Sequence, residues 1–161
     1  DKVCHELLLS EDIARAFQNE DVFENGIISR DKLGKLVFNN PEMKIKLENI
    51  LYPKVRDKII EFFESFSGES VAFVAIPLLF EAGMEALFDK IMFIYCEDEI
   101  RLNRLIMRNG YTQEYAKLRM NSQQPQSAKI QKSDFVINNN STFENLDKQI
   151  ESVLEQLIIK D

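Results

Sequence analysis

The 161 residues contain no tryptophan, one histidine, two cysteines and only five glycines, and each scarcity removes a class of function. A lone imidazole, His5, cannot by itself serve a Ser-His or Cys-His nucleophilic site, so hydrolase chemistry of that kind falls away. Cys4 and Cys96 lie far apart, and with His5 the lone neighbour of that kind beside Cys4 neither has the set of close His and Cys residues that a zinc site requires, so both read as reduced thiols. The glycines are scattered, and none begins a GxxxxGK[ST] phosphate loop. The longest apolar run, 71–80, is too short to cross a bilayer, and no basic signal segment opens the chain, so a soluble cytoplasmic protein is expected. Basic excess is missing too. Twenty-seven acids face twenty Lys and Arg, giving a net charge of -7 and a pI near 4.9, which argues against nucleic acid as a partner.

What is present is 45% apolar content without repeats or low-complexity tracts, suiting one compact domain over 1–161. Val3, Leu7 and Leu8 form an apolar stripe, and Ser10 is a cap for a second helix carrying Ile13, Ala14 and Phe17. The chain turns at Asn25-Gly26, then Ser29 caps a helix with Leu33, Leu36 and Val37. Asn40-Pro41 starts another helix in cap and first-turn order, and Pro53 is expected to break or kink it before Val55, Ile59, Phe62 and Phe63 continue the pattern.

The runs 70–76 and 90–95 are short, continuously apolar and rich in Val, Ile and Phe, the pattern of strands buried on both faces of a parallel sheet; 134–137 is a shorter third. Helical patterns separate them, and Ser141-x-x-Glu144 reads as a capping box for a last helix. The order predicts an α/β fold. The Gln- and Ser-rich stretch 121–132 reads as a hinge.

A helix over 97–107 opens with Glu97, Asp98 and Glu99, which suit the positive end of its dipole. Arg101, Arg104 and Arg108 follow at i, i+3 and i+7, on one stripe. Aligned like charges repel by about a few tenths of a kcal/mol per pair, a cost more readily met when an anion sits there, and Arg pairs bidentately with polyphosphate. An ordinary solvated helix face is the alternative.

Four segments carry a more specific signal: GIISRDKLGKLVFNNPE, ILYPKVR, IPLLFEAGMEALFDKIMFIY, and RLNRLIMRNGYTQEYAKLRMNSQ with its following SDFVINNNST. In order and spacing they resemble the dephospho-coenzyme A kinase family. That resemblance implies a P-loop kinase with a parallel-sheet core, a helical substrate-binding region over 2–66 and a helical lid over 97–132. It implies transfer of the γ-phosphoryl group of ATP, with Mg²⁺, to the ribose 3′-hydroxyl of dephospho-coenzyme A, the last step of coenzyme A biosynthesis.

The same resemblance assigns residues. Asp1 matches the family aspartate that acts as general base and helps organise the metal, weakly and through water. Arg104, Arg108 and Arg119 match lid arginines at the ATP phosphates or adenine, Arg101 less closely, and Asn138 lies in the loop near the expected adenine. Arg30 matches an arginine near the acceptor, and Pro77, Leu78, Leu79, Phe80 and Glu81 match the strand end facing it. For Leu78, Leu79 and Phe80 a core role is an equal alternative, and Glu81 has the alternative of capping a helix.

The chain departs from the family at Tyr52, where a His is usual, and at Ala75, where an acid is frequent. The family's strand, GxxxxGK[ST] loop and helix are expected upstream of Asp1. The competing readings are another small-molecule P-loop kinase, such as a nucleoside monophosphate kinase, and a non-catalytic nucleotide-binding module. A monomer and a small homo-oligomer remain equally open.

Overall fold

The computed structural model describes residues 2–158, so the Asp1 assignment lies outside the described residues. The chain divides into two units, Asp1–Pro77 and Leu78–Asp161.

In the first unit, α1 (Lys2–Leu7) and α2 (Glu11–Ala16) precede a hairpin of β1 (Phe23–Glu24) and β2 (Ile27–Ile28). Asn25 and Gly26, at φ 51° and 79°, form its two-residue loop. Positive φ at both loop positions suits the right-handed twist of a hairpin, and Asn-Gly is the pair that adopts it most easily. The sequence reading saw the turn without its strands, which are only two residues each. Next come α3 (Arg30–Asn39) and the long α4 (Pro41–Ser65).

Asn40 caps α4 by accepting from the N–H groups of Glu42 and Met43 at 3.0 and 3.2 Å. Ser10 and Ser29 occupy the expected cap positions but make no side-chain cap hydrogen bond, and the buried Ser10 Oγ has no partner among the described residues. Pro53 does not break α4. A proline removes the hydrogen bond to the carbonyl four residues back. Here that residue, Asn49, is exposed, so water can take the place of the missing donor. The core of this unit is Ile13, Phe17, Val22, Ile28 and Leu33, flanked by Leu36, Met43 and Leu47 from α3 and α4. A fully buried Phe17 or Ile13 contributes about 1.5–3 kcal/mol relative to exposure.

The second unit holds a parallel pair, β3 (Met92–Tyr95) and β4 (Phe135–Asn138), in the register Met92↔Phe135 to Tyr95↔Asn138. Between them run α5 (Asp98–Asn109), α6 (Gln113–Asn121) and α7 (Gln126–Gln131), and α8 (Phe143–Ile158) follows β4 and packs on it. The β-α-β order is the expected α/β pattern.

Two sequence expectations need correction. The run 70–76 joins no ladder among the described residues, although residues 71–76 alternate between exposed and half-buried as an extended segment does. Nor are β3 and β4 sealed on both faces, since Ile94 and Val136 are 45% and 43% exposed. Two paired strands leave outer edges and parts of both faces uncovered, so apolar composition exceeds the burial that the described elements supply. Smaller shifts occur at helix ends. α5 begins at Asp98 and runs through Asn109, closed by Gly110 at φ 66°. α8 begins at Phe143, one residue later than a Ser141 box requires, and Ser141 Oγ instead accepts from Asn145 Nδ2 at 3.2 Å.

Candidate active site

Parallel β-α-β units bind ligands beyond the carboxyl ends of their strands, which here are Tyr95 and Asn138. The loop after Asn138 is held on every side. The Asn138 N–H donates to Gln149 Oε1 at 2.8 Å, its carbonyl accepts from Gln149 Nε2 at 3.0 Å, and its Oδ1 accepts from the Asn140 N–H at 2.9 Å. The Asn139 N–H extends the ladder to the Tyr95 carbonyl at 2.8 Å. Asn140 bridges to the start of α5, accepting from the Glu97 N–H at 2.8 Å and donating to Glu97 Oε1 at 3.0 Å. Gln126 completes the frame from α7, donating to the Cys96 carbonyl at 2.8 Å and to Asp98 Oδ1 at 2.9 Å.

The arginine stripe divides into different jobs. Arg104 Nη1 donates to the Asn139 carbonyl at 2.7 Å and approaches Cys96 Sγ at 3.6 Å, so it fastens the loop after β4 to α5. Arg101 is half-buried, 3.7 Å from Asp98 Oδ1. Arg108, one turn beyond Arg104, is exposed, and its Nε donates to the neighbouring Asn109 Oδ1 at 3.0 Å. Arg119, on α6, lies 5.9 Å from the Tyr111 ring centroid in cation–π range. The α5–α6 hairpin thus presents Arg108 outward while Arg104 is committed to structure.

At the start of this unit, Leu78 is 37% exposed, Leu79 half-buried and Phe80 7% exposed, so Phe80 is a core residue and Leu78 is not. Glu81 does not cap a helix. Its Oε1 takes a hydrogen bond from the Gln124 N–H and an ion pair from Lys129 Nζ, each at 2.8 Å. Burial pushes the Glu81 carboxyl up, but the bonds from Lys129 and Gln124 outweigh it and hold the group below its ordinary value.

In the first unit, Arg30 opens α3 and its Nη2 meets His5 Nε2 at 2.7 Å. Pro77 is the exposed last residue of that unit. The second unit therefore brings Arg104, Arg108, Arg119, Asn138 and Leu78–Glu81 onto one β-α-β frame. The sequence reading missed Lys129, Gln124, Gln126, Gln149, Asn139 and Asn140. Their one legible signal was the density of amide side chains just after β4 and in 121–132, the latter read as a hinge.

Among the described residues no three His, Cys, Asp or Glu side chains group to hold a metal ion.

Comparison with known proteins fits this arrangement. The family model described as Dephospho-CoA kinase matches residues 3–145. A dephospho-CoA kinase of Geobacillus kaustophilus is 42% identical over 146 residues, covering 89% of this chain and 73% of that protein. Among solved structures, TT1252 from Thermus thermophilus superposes with a TM-score of 0.79 at 28% identity, over 98% of this chain and 82% of its own. The dephospho-CoA kinase from Campylobacter jejuni gives 0.68 at 34% identity with the same coverage. On a match that reaches into both units and runs from within α1 to the first turn of α8, the chain belongs to the dephospho-CoA kinase family.

Proposed function

We propose that this protein phosphorylates the ribose 3′-hydroxyl of dephospho-coenzyme A at the expense of ATP, giving coenzyme A and ADP. The observation that carries the reading is the family match over 3–145, which runs through the PLLFEAG segment and the RxxRxxxRNG helix together.

The residue roles follow from chemistry. Phosphoryl transfer proceeds through a loose transition state in which positioning and charge stabilisation dominate. Arg108, exposed on the hairpin, is the phosphate contact, and Arg119 is a second beside Tyr111. Arg104 acts at one remove, holding the loop that presents Asn138 toward the adenine. The resemblance assigns Arg30 of the first unit and, separately, Leu78–Glu81 of the second to acceptor binding, with Leu78 as the exposed apolar side chain of that segment. Asp1 takes the proton of the acceptor hydroxyl. Mg²⁺ is expected with ATP, and Asp1 is its weak, water-mediated protein contact.

The test is acceptor selectivity. In a coupled ADP assay the complete protein should turn over with dephospho-coenzyme A and not with adenosine or cytidine monophosphate. Turnover with the monophosphates instead would favour a nucleoside monophosphate kinase.

A further inference from the structure

Lysine is almost never fully buried unless paired, and Lys129 is the buried charged residue of the described chain, at 5% exposure. It sits on α7, and its partner Glu81 lies in the turn that begins the second unit, their side chains 6% and 14% exposed at 2.8 Å. The same carboxylate oxygen receives the Gln124 N–H, and Gln124 Nε2 donates to the Phe80 carbonyl at 3.2 Å. Backbone bonds from Ala82 to Leu78 and from Met84 to Leu79 tighten the turn itself. The other oxygen, Glu81 Oε2, is buried without a hydrogen-bond partner among the described residues.

This arrangement is poorly explained by stability alone. Removing two charges from water costs several kcal/mol per ion, and apolar side chains of similar size often replace a buried pair without loss. The half-satisfied carboxylate makes the cost higher. What the pair does achieve is location. Gln124 follows α6, which carries Arg119, and α7 leads directly to β4 and Asn138. Glu81 closes the segment Leu78–Glu81. The bonds from Lys129 and Gln124 therefore tie the root of the arginine hairpin to that segment at adjacent residues.

We propose that Lys129 is a positioning residue for phosphoryl transfer, which through Glu81 holds the acceptor-side segment Leu78–Glu81 in register with the hairpin that carries the ATP-side arginines. This rests on the reading of Leu78–Glu81 as the acceptor side. Displacement of reacting groups by about 1 Å can cost about 100-fold in rate, so a clamp remote from the chemistry has room to matter.

The experiment compares the complete protein with Lys129→Met, the double variant Glu81→Leu/Lys129→Met and Glu81→Gln. Melting temperature is measured first, then kcat and KM for both substrates well below it, with folding verified by circular dichroism. Lys129→Met should lose stability by stranding a buried carboxylate. The double variant should recover the parent melting temperature yet keep kcat at least about tenfold low, because apolar packing restores the core and not the register. A double variant with parent-like melting and kcat within about threefold would make the pair structural only and overturn the proposal. Should the double variant not fold, Glu81→Gln decides, since it keeps the shape and the acceptor for the Gln124 N–H. Folded and at least about fivefold slower supports the clamp, and within about twofold overturns it. A parent inert toward dephospho-coenzyme A would sink the acceptor reading along with this one, whereas an active parent with unaffected variants would sink only this one.

Discussion

Replacing Arg108 with Ala separates a phosphate contact from a solvated helix face. Its guanidinium is exposed and its Nε bond runs to the adjacent Asn109 Oδ1, so folding should change by no more than about 0.5 kcal/mol. Transition-state stabilisation is a separate quantity. An arginine at the transferred phosphoryl group supplies up to about 3–5 kcal/mol, and at about 1.36 kcal/mol per decade its loss lowers kcat/KM by roughly two to four powers of ten. Arg108→Lys keeps the charge without the planar fork and should recover only part of the rate. Arg104→Ala is the internal contrast. It removes a charge-assisted bond to the Asn139 carbonyl, and because that bond is exposed the stability cost should stay near about 1 kcal/mol, with a smaller effect on turnover. A coupled ADP assay and urea titrations of the variants give both numbers. Arg108→Ala with kcat/KM within about threefold of the parent would return Arg108 to the solvated face and refute the reasoning.

Other expectations follow from the same residues. Asp1→Asn in the complete protein should lower kcat by at least about 100-fold while changing stability by less than about 1 kcal/mol, since the amide keeps nearly the shape of the carboxylate and loses only its charge; turnover within about threefold would remove Asp1 from the catalytic assignment. Asp134 is hydrogen-bonded to Lys90 at 2.7 Å and accepts the Ile91 N–H at 2.9 Å, which together hold its carboxyl below the ordinary value. A depressed folded value means that its contribution is present above the unfolded value of about 3.9 and is lost as pH falls through the folded one. The stability gap between the parent and Asp134→Asn should therefore be open at neutral pH and close in acid, and a gap independent of pH would show that the charge contributes nothing.

Much of this was legible in the residues themselves. β3 and β4 were visible because short apolar runs such as Met92–Tyr95 and Phe135–Ile137 have no helical period, and α5 because its acidic start, its arginine spacing and Asn109-Gly110 agree on one element. The 70–76 run was as apolar as either strand, but a strand exists only with a ladder partner, which composition does not report. Of the two outcomes expected at Pro53 the break does not occur, for a related reason, since whether a helix survives proline depends on which face the orphaned carbonyl occupies. At the site, local spacing placed three arginines on one stripe. It could not say that Arg104 would reach the Asn139 carbonyl, 35 residues away, while Arg108 stayed exposed. Lys129 and Glu81 stand 48 apart, and nothing in either neighbourhood marks them as partners.

The most direct measurement of the central claim is the structure of the product. The complete protein, incubated with ATP, Mg²⁺ and dephospho-coenzyme A, should form ADP and a new phosphomonoester in equal amounts, and phosphorus NMR should place that ester on the ribose 3′-oxygen. Phosphorylation at another hydroxyl, or ADP release that does not require dephospho-coenzyme A, would contradict it.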